Sequence, residues 1–184
     1  MRNTTELRQE ILAAARSEFA AYGLAGARID RIARTAQASK ERLYAHFGDK
    51  ETLFREVVVT DAAEFFRSFQ LRPEAIPEFV GDVYDVACSH PEFHRMITWS
   101  RLEGVTLEEP PVLENDLATI AAAQAGGHVD PAWQPMDLMV LLFGIALAWA
   151  NSPLANVPEG ARVIARRRAA AVEAAARLIA PRAT

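Results

Sequence analysis

The sequence predicts an all-α protein of about nine helices, arranged as a small N-terminal three-helix unit followed by a larger helical body. Three observations carry this expectation. Apolar residues recur every three or four positions, and no stretch alternates apolar and polar residues as a strand would. Gly23, Gly48, Pro73, Gly126-Gly127 and Pro153 punctuate the periodic segments. Hydrophobic residues make up 51% and charged residues 24% of the 184 positions, enough apolar content for a folded core.

The first helix is expected over Thr5–Tyr22, with Leu7, Ile11, Ala15, Phe19 and Tyr22 on one face. Asn3 or Thr4 caps its start, Glu6 completes a capping box with Asn3, and Gly23 ends it. A short helix over Ile29–Ala36 turns its apolar residues Ile29, Ile32, Ala33 and Ala36 inward. Gln37, Ala38 and Ser39 break the pattern before a third helix, Lys40–Phe47, whose core side is Leu43 and Phe47. Asp49 caps a fourth helix that runs from Lys50 to about Phe69.

The body continues with helices over Glu74–Ser89, His90–Glu103, Val112–Ala125, Met136–Asn151 and Glu159–Ala180. Pro91 stands at the first turn of the second of these. Residues 104–111 read as a loop, and Gly126-Gly127 with the segment Pro131 to Pro135 as the longest irregular connection. The longest apolar run, Leu138 to Ala150, is 13 residues. A membrane span takes about 17–25, so this run reads as a buried helix and no membrane partner is expected. The N-terminal residues lead into a charged amphipathic segment rather than an apolar signal. Cys88 is the single cysteine, which fits a reducing cytoplasm.

Charge is unevenly distributed. Net charge is −4, yet residues 1–50 hold nine Lys/Arg against six acids, while the rest holds eleven against eighteen. A basic head on an acidic body fits a nucleic-acid reader joined to a part with another task. The helix, three-residue turn and short helix inside a three-helix unit are the arrangement of a helix-turn-helix, which places its second helix in the major groove. The exposed positions of that helix are then Ser39, Lys40, Glu41, Arg42, Tyr44 and His46. Lys40 suits guanine N7 and O6, and Glu41 suits cytosine N4. Arg42, Tyr44, His46 and Lys50 suit phosphates, and Lys50 is helped by the start of its own helix. Phe47 reads as core, Tyr44 serves either core or DNA, and Arg31 and Arg34 read as solvated charges.

The run Ile11 to Gly23, then Ile29-Asp30-Arg31-Ile32-Ala33, then Ala38 to Phe54, resembles the TetR family of bacterial regulators, with the spacing kept over residues 5–58. The resemblance implies that Leu43, Tyr44 and Phe47 close the recognition helix and that Lys50 meets backbone phosphate. It also implies a homodimer in which the last two helices of each chain form a four-helix bundle. Two departures stand out. Gln37 replaces a usual Gly at the start of the turn, where a left-handed conformation costs a non-Gly residue roughly 1–2 kcal/mol, so a different turn is expected. Arg28 replaces a usual Ser or Thr cap and is free to reach a phosphate.

The expected division is residues 1–49 for reading DNA and 50–184 for ligand binding and dimerisation. Partners are then double-stranded DNA with a palindromic operator, a second copy of the chain, and a hydrophobic or aromatic small molecule. Phe65, Phe79, Val83, Met96, Trp99, Ile120 and Phe143 are the candidate pocket lining, with His94, Arg95 and Ser100 as polar neighbours. His90 and His94 lie one turn apart near Cys88 and Glu92. Metal sites need three or four ligands in set geometry, so neither metal nor other cofactor is expected. No Ser/His/Asp set, nucleotide loop or suitably placed carboxylate pair points to an enzyme. The alternative to a repressor released by its ligand is a helical binding protein without DNA affinity.

Overall fold

A computed structural model describes residues 3–105, 111–153 and 160–181. Within them the chain is helical: α1 Thr4–Gly26, α2 Ile29–Thr35, α3 Lys40–Phe47, α4 Lys50–Arg67, α5 Ile76–Ser89, α6 Pro91–Leu102, α7 Pro111–Ala125, α8 Pro135–Ala146, α9 Ala148–Asn151 and α10 Ala161–Ile179. The expected start of the last helix, Glu159, and most of the loop expected over 104–111 lie outside the described residues. The single eighth helix expected over Met136–Asn151 is instead two, because Leu147 leaves helical geometry at φ −93° and ψ 4°. No Gly or Pro marks that break in the sequence.

The chain divides into two compact units. One comprises Met1–Phe65 with Pro91–Glu108, the other Phe66–His90 with Glu109–Thr184. The residue 49/50 boundary expected between tasks falls inside the first unit, whose core takes in α4 and α6.

In the first unit, α1 presents Leu7, Ile11, Ala15 and Phe19 to Ile32 of α2, Leu43 and Phe47 of α3, Leu53, Phe54, Val57 and Val58 of α4, and Met96 of α6. Phe19 and Phe54 meet edge to face with ring centres 5.1 Å apart. The capping box at Asn3 is present in full, with the Thr5 N–H donating to the Asn3 side chain and the Asn3 N–H to Glu6. Gly23 takes φ +66°, as expected of a helix-ending glycine, and a further turn of helix follows. It also lies under Trp99: a Cβ at this position would sit 2.7 Å from the indole ring. The Trp99 Nε1–H donates to the Ala20 carbonyl at 3.4 Å, so α6 is fastened to the end of α1.

A buried ion pair joins α1 to α4. Arg16 Nε donates to Asp61 Oδ1 at 2.6 Å, and its Nη2 reaches Glu64 at 3.2 Å. The guanidinium also lies 5.1 Å from the centre of the Phe93 ring of α6. Asp61 is 1% exposed and its Oδ2 has no hydrogen-bond partner. Burial raises the Asp61 carboxyl from the usual 3.8 to about 6; Arg16 opposes this shift, while Glu64 and Glu92 add to it.

In the second unit, α5 packs on α8 and α10, and α7 packs on α8. Four rings form its aromatic centre, with edge-on centre distances of 5.3 Å for Phe69–Phe79, 5.7 Å for Phe79–Phe143 and 6.0 Å for Phe66–Phe143. The irregular connection after α7 is tied down rather than loose. The Asp130 N–H donates to the Ile179 carbonyl at 2.8 Å and the Trp133 Nε1–H to the Leu178 carbonyl at 3.2 Å, satisfying acceptors left over at the end of α10. Arg168 folds over Gly81 and pairs with Asp85 at 2.6 Å and Asp82 at 3.4 Å. Among the described residues no helix is long and apolar enough to cross a membrane, and no group of three or more ligating side chains could hold a metal ion.

A carboxyl whose folded pKa lies above its unfolded value favours the fold while protonated. That contribution is complete below the unfolded value and is lost as pH rises through the folded one. Asp61→Asn keeps an acceptor for Arg16 and removes the ionisation. The variant is expected to match the parent near pH 4 and to exceed its stability above pH 7 by about 2–3 kcal/mol. Urea denaturation over that pH range reads the difference, and equal profiles for the two proteins would count against a costly buried charge.

Candidate DNA-reading surface

Isolated helices of eight residues are marginal in water, so α3 depends on its packing and its caps. Leu43 is fully buried and Phe47 3% exposed, which fixes the rear of the helix in the core. The Ser39 side chain accepts the Arg42 N–H at 3.3 Å and caps its start. At the other end the Gly48 N–H returns to the Tyr44 carbonyl, and Asp49 accepts the Thr52 N–H at 2.6 Å to open α4. The front of α3 faces outward: Lys40, Glu41, Arg42 and Tyr44 are exposed, and His46 is half-buried against the Phe47 ring. Tyr44, which suited either core or DNA by sequence, is 46% exposed.

The turn before α3 is not built differently. Gln37 itself adopts φ +49°, the one non-glycine residue with positive φ among the described residues. The Ala38 N–H bonds to the Ala33 carbonyl at 2.9 Å and closes the turn around it. The strain avoided by glycine elsewhere is therefore carried by this chain.

Arg28 offers α2 no side-chain cap. Its own N–H donates at 2.8 Å to the buried carboxylate of Glu18, on α1. The same oxygen of Glu18 accepts from Arg31 Nε at 2.7 Å, and Arg31 also reaches the Gly26 carbonyl and stacks on the Tyr22 ring with a centre distance of 4.3 Å. Arg31 is thus a fastener rather than the solvated charge expected. The Arg28 side chain is exposed. Glu18 was missed by sequence reasoning: it stands within an amphipathic helix, and its partners lie ten and thirteen residues on.

Two of the cations expected to meet DNA are engaged within the protein. Lys40 Nζ lies 2.5 Å from Asp30 Oδ1. Lys50 Nζ donates to the Ala27 carbonyl at 3.4 Å. Glu41 has its carboxyl held below the usual carboxylate range, first by the hydrogen bond of its own backbone N–H at the head of α3 and then by Ser39.

The residues expected to line a ligand pocket divide between the units. Phe65, His94, Met96 and Trp99 lie in the first, where Phe65 and Met96 are buried, while Phe79, Val83, Ile120 and Phe143 lie in the second. The sequence reading overlooked Phe66 and Phe69, which complete the aromatic centre. A separate open groove of about 400 Å³ runs along α1 and the end of α2, lined by Glu10, Ala13, Ala14, Ser17, Thr35, Ala36 and Gln37, and holds none of the expected ligand contacts.

A capped, outward-facing helix led by cations and rooted in a three-helix core defines a helix-turn-helix regulator of transcription. Residues 11–57 match the family described as bacterial regulatory proteins, tetR family, and residues 75–177 match the Tetracyclin repressor-like, C-terminal domain. The chain belongs to the TetR family. It is 34% identical to the HTH-type transcriptional repressor SCO4008 of Streptomyces coelicolor over 81% of this chain and 80% of that protein. The repressor AcnR of Corynebacterium glutamicum is 44% identical over 32% of this chain and 31% of its own length. The crystal structure of SCO4942 from Streptomyces coelicolor superposes with a TM-score of 0.81 and 37% identity, covering 94% of this chain and 97% of that one.

Replacing Gln37 by Gly removes the left-handed penalty and adds backbone freedom to the unfolded chain. The net expectation is a gain of about 0.5–1 kcal/mol, whereas Gln37→Val should destabilise because a β-branched residue fits that region worst. Thermal unfolding of the two variants beside the parent checks the order.

Proposed function

We propose that this regulator is a repressor that binds a two-fold operator as a homodimer in the cytoplasm and leaves it when a hydrophobic or aromatic effector binds. The observation that carries the reading is the two-sided build of α3, with Leu43 and Phe47 buried and Lys40, Arg42 and Tyr44 outside. Residues 1–49 read DNA and residues 50–184 bind effector and dimerise; catalysis has no part in the activity. Ser39, Lys40 and Glu41 stand at the leading end of the helix, where base edges are read. Arg28, Arg42, Tyr44, His46 and Lys50 supply phosphate contacts that set the register.

Dimerisation is supported by α8. Leu138, Met139, Leu142 and Ala146 are buried, while Met136, Val140, Leu141, Gly144 and Ala148 remain exposed along the other side. Such a stripe, continued by the half-buried Val163, Ile164 and Val172 of α10, is the kind of surface a second copy covers. The effector class is supported by the ring cluster of Phe66, Phe69, Phe79 and Phe143, which offers edges and faces to an aromatic guest.

Gel shifts against DNA upstream of the chain's own gene test the central reading. The parent should shift a discrete fragment, and Lys40→Ala with Tyr44→Ala should abolish the shift while leaving the circular dichroism spectrum intact. Affinity should fall about 10³-fold or more between 50 and 200 mM salt if six or more phosphates are contacted. A salt-independent affinity would count against the phosphate contacts. Light scattering tests the dimer: Val140→Arg should yield monomers that lose the operator, and a dimer persisting in that variant would move the interface elsewhere.

A further inference from the structure

Lys40 is the first residue of α3 and the cation best placed to enter the groove, yet it is not idle in the free protein. Its ammonium lies 2.5 Å from the carboxylate of Asp30, in the first turn of α2, and both side chains remain more than half exposed. The pair therefore bridges the two helices of the helix-turn-helix on the surface side rather than in the core. Each partner keeps the other charged: the Asp30 carboxyl is held below the usual range, first by its hydrogen bond with Lys40, and the Lys40 ammonium is held above its own, first by the same bond. Arg28 and Arg34 also act on Asp30 through space, so it is an acid set among cations on a surface that must approach phosphates.

An acid in that place opposes DNA binding unless it does something else. A free lysine at the head of α3 would satisfy itself on any backbone phosphate, adding affinity that carries no sequence information. We propose that Asp30 is a specificity-determining residue that withholds Lys40 from phosphates on arbitrary DNA and yields it only to a base edge offering better acceptors. This rests on Lys40 being a groove reader. A guanine presents two acceptors, N7 and O6, in the groove. An arbitrary sequence offers at that point only a phosphate oxygen in exchange for the carboxylate oxygen that Lys40 already holds, so the pair persists there as a neutral unit.

The test is fluorescence anisotropy on a labelled duplex of arbitrary sequence, using full-length parent, Asp30→Asn, Asp30→Glu, Lys40→Ala and the double variant Asp30→Asn with Lys40→Ala. Log affinity is plotted against log salt. Asp30→Asn is expected to steepen the slope by about 0.9, the release expected for one added phosphate contact. Lys40→Ala should cancel that increase in the Asp30→Asn background, where no unpaired carboxylate is left behind, and Asp30→Glu should behave as the parent. Simple loss of a repulsive charge would give additive effects with no coupling between the two positions, and that result overturns the proposal. On a duplex the parent selects from a random library, Lys40→Ala should lose about 10-fold or more in affinity, and unchanged binding there also overturns it. A parent with no salt-dependent binding to any duplex would defeat the DNA-reading function itself, a result distinct from both.

Discussion

The first unit depends on how little holds α3 in place. Two large side chains, Leu43 and Phe47, anchor an eight-residue helix, and each contributes roughly 1.5–3 kcal/mol by burial. Neither contribution exists without a wall to receive it, and that wall is the cluster formed by α1 and α4 around Phe19 and Phe54. Because the rear is fixed by packing, the front is free of packing duties. This is why four polar side chains, those of Lys40, Glu41, Arg42 and Tyr44, can stand exposed on one short rod without unfolding it.

The same economy governs the charges. Glu18 is nearly buried, and its carboxylate holds the first N–H beside α2 and the guanidinium of Arg31 at once. It ties the N-cap residue itself to α1 without supplying the acceptor that a Ser or Thr at position 28 would offer to the next N–H groups, and the Arg28 side chain stays outside. Arg16 plays the complementary part, meeting Asp61 and Glu64 of α4 and the ring of Phe93 of α6. One cation thus fastens three helices, at the cost of a carboxylate oxygen, Asp61 Oδ2, left without a partner in the interior. An acceptor so placed weakens the fold most when ionised, so the junction is held together by packing and geometry more than by net electrostatic gain.

What was legible in the sequence was local. The capping box at Asn3 and Glu6, the Ser39 and Asp49 caps, the left-handed break at Gly23 and the rear face of α3 all follow from spacings of at most four residues, whereas the further turn of α1 to Gly26 does not. What escaped was pairing over longer separations. Nothing near Glu18 or Arg168 marks them as fasteners, since their partners lie ten to thirteen residues away in the first case and more than eighty in the second. Gln37 escaped for another reason: the rule that favours Gly in a left-handed turn is energetic, and the turn closed by Ala38 and Ala33 forms here in spite of the penalty. Leu141 shows the limit of periodicity itself. On a helix apolar on nearly every side, spacing alone does not say which face meets the protein's own core.

The chain path gives α6 a particular standing. It is flanked in sequence by segments of the second unit, yet its Met96 is fully buried among the residues that support α3, and its Trp99 closes over Gly23 at the end of α1. The chain crosses between units after Phe65, after His90 and after Glu108. A single residue, His90, separates the end of α5 from the first residue of α6. Gly23 has no side chain, and the Trp99 ring lies too close for one, so α6 meets the backbone of α1 directly at this point. Packing of that closeness leaves no slack on the α1 side, and α1 is the helix against which α2 also packs.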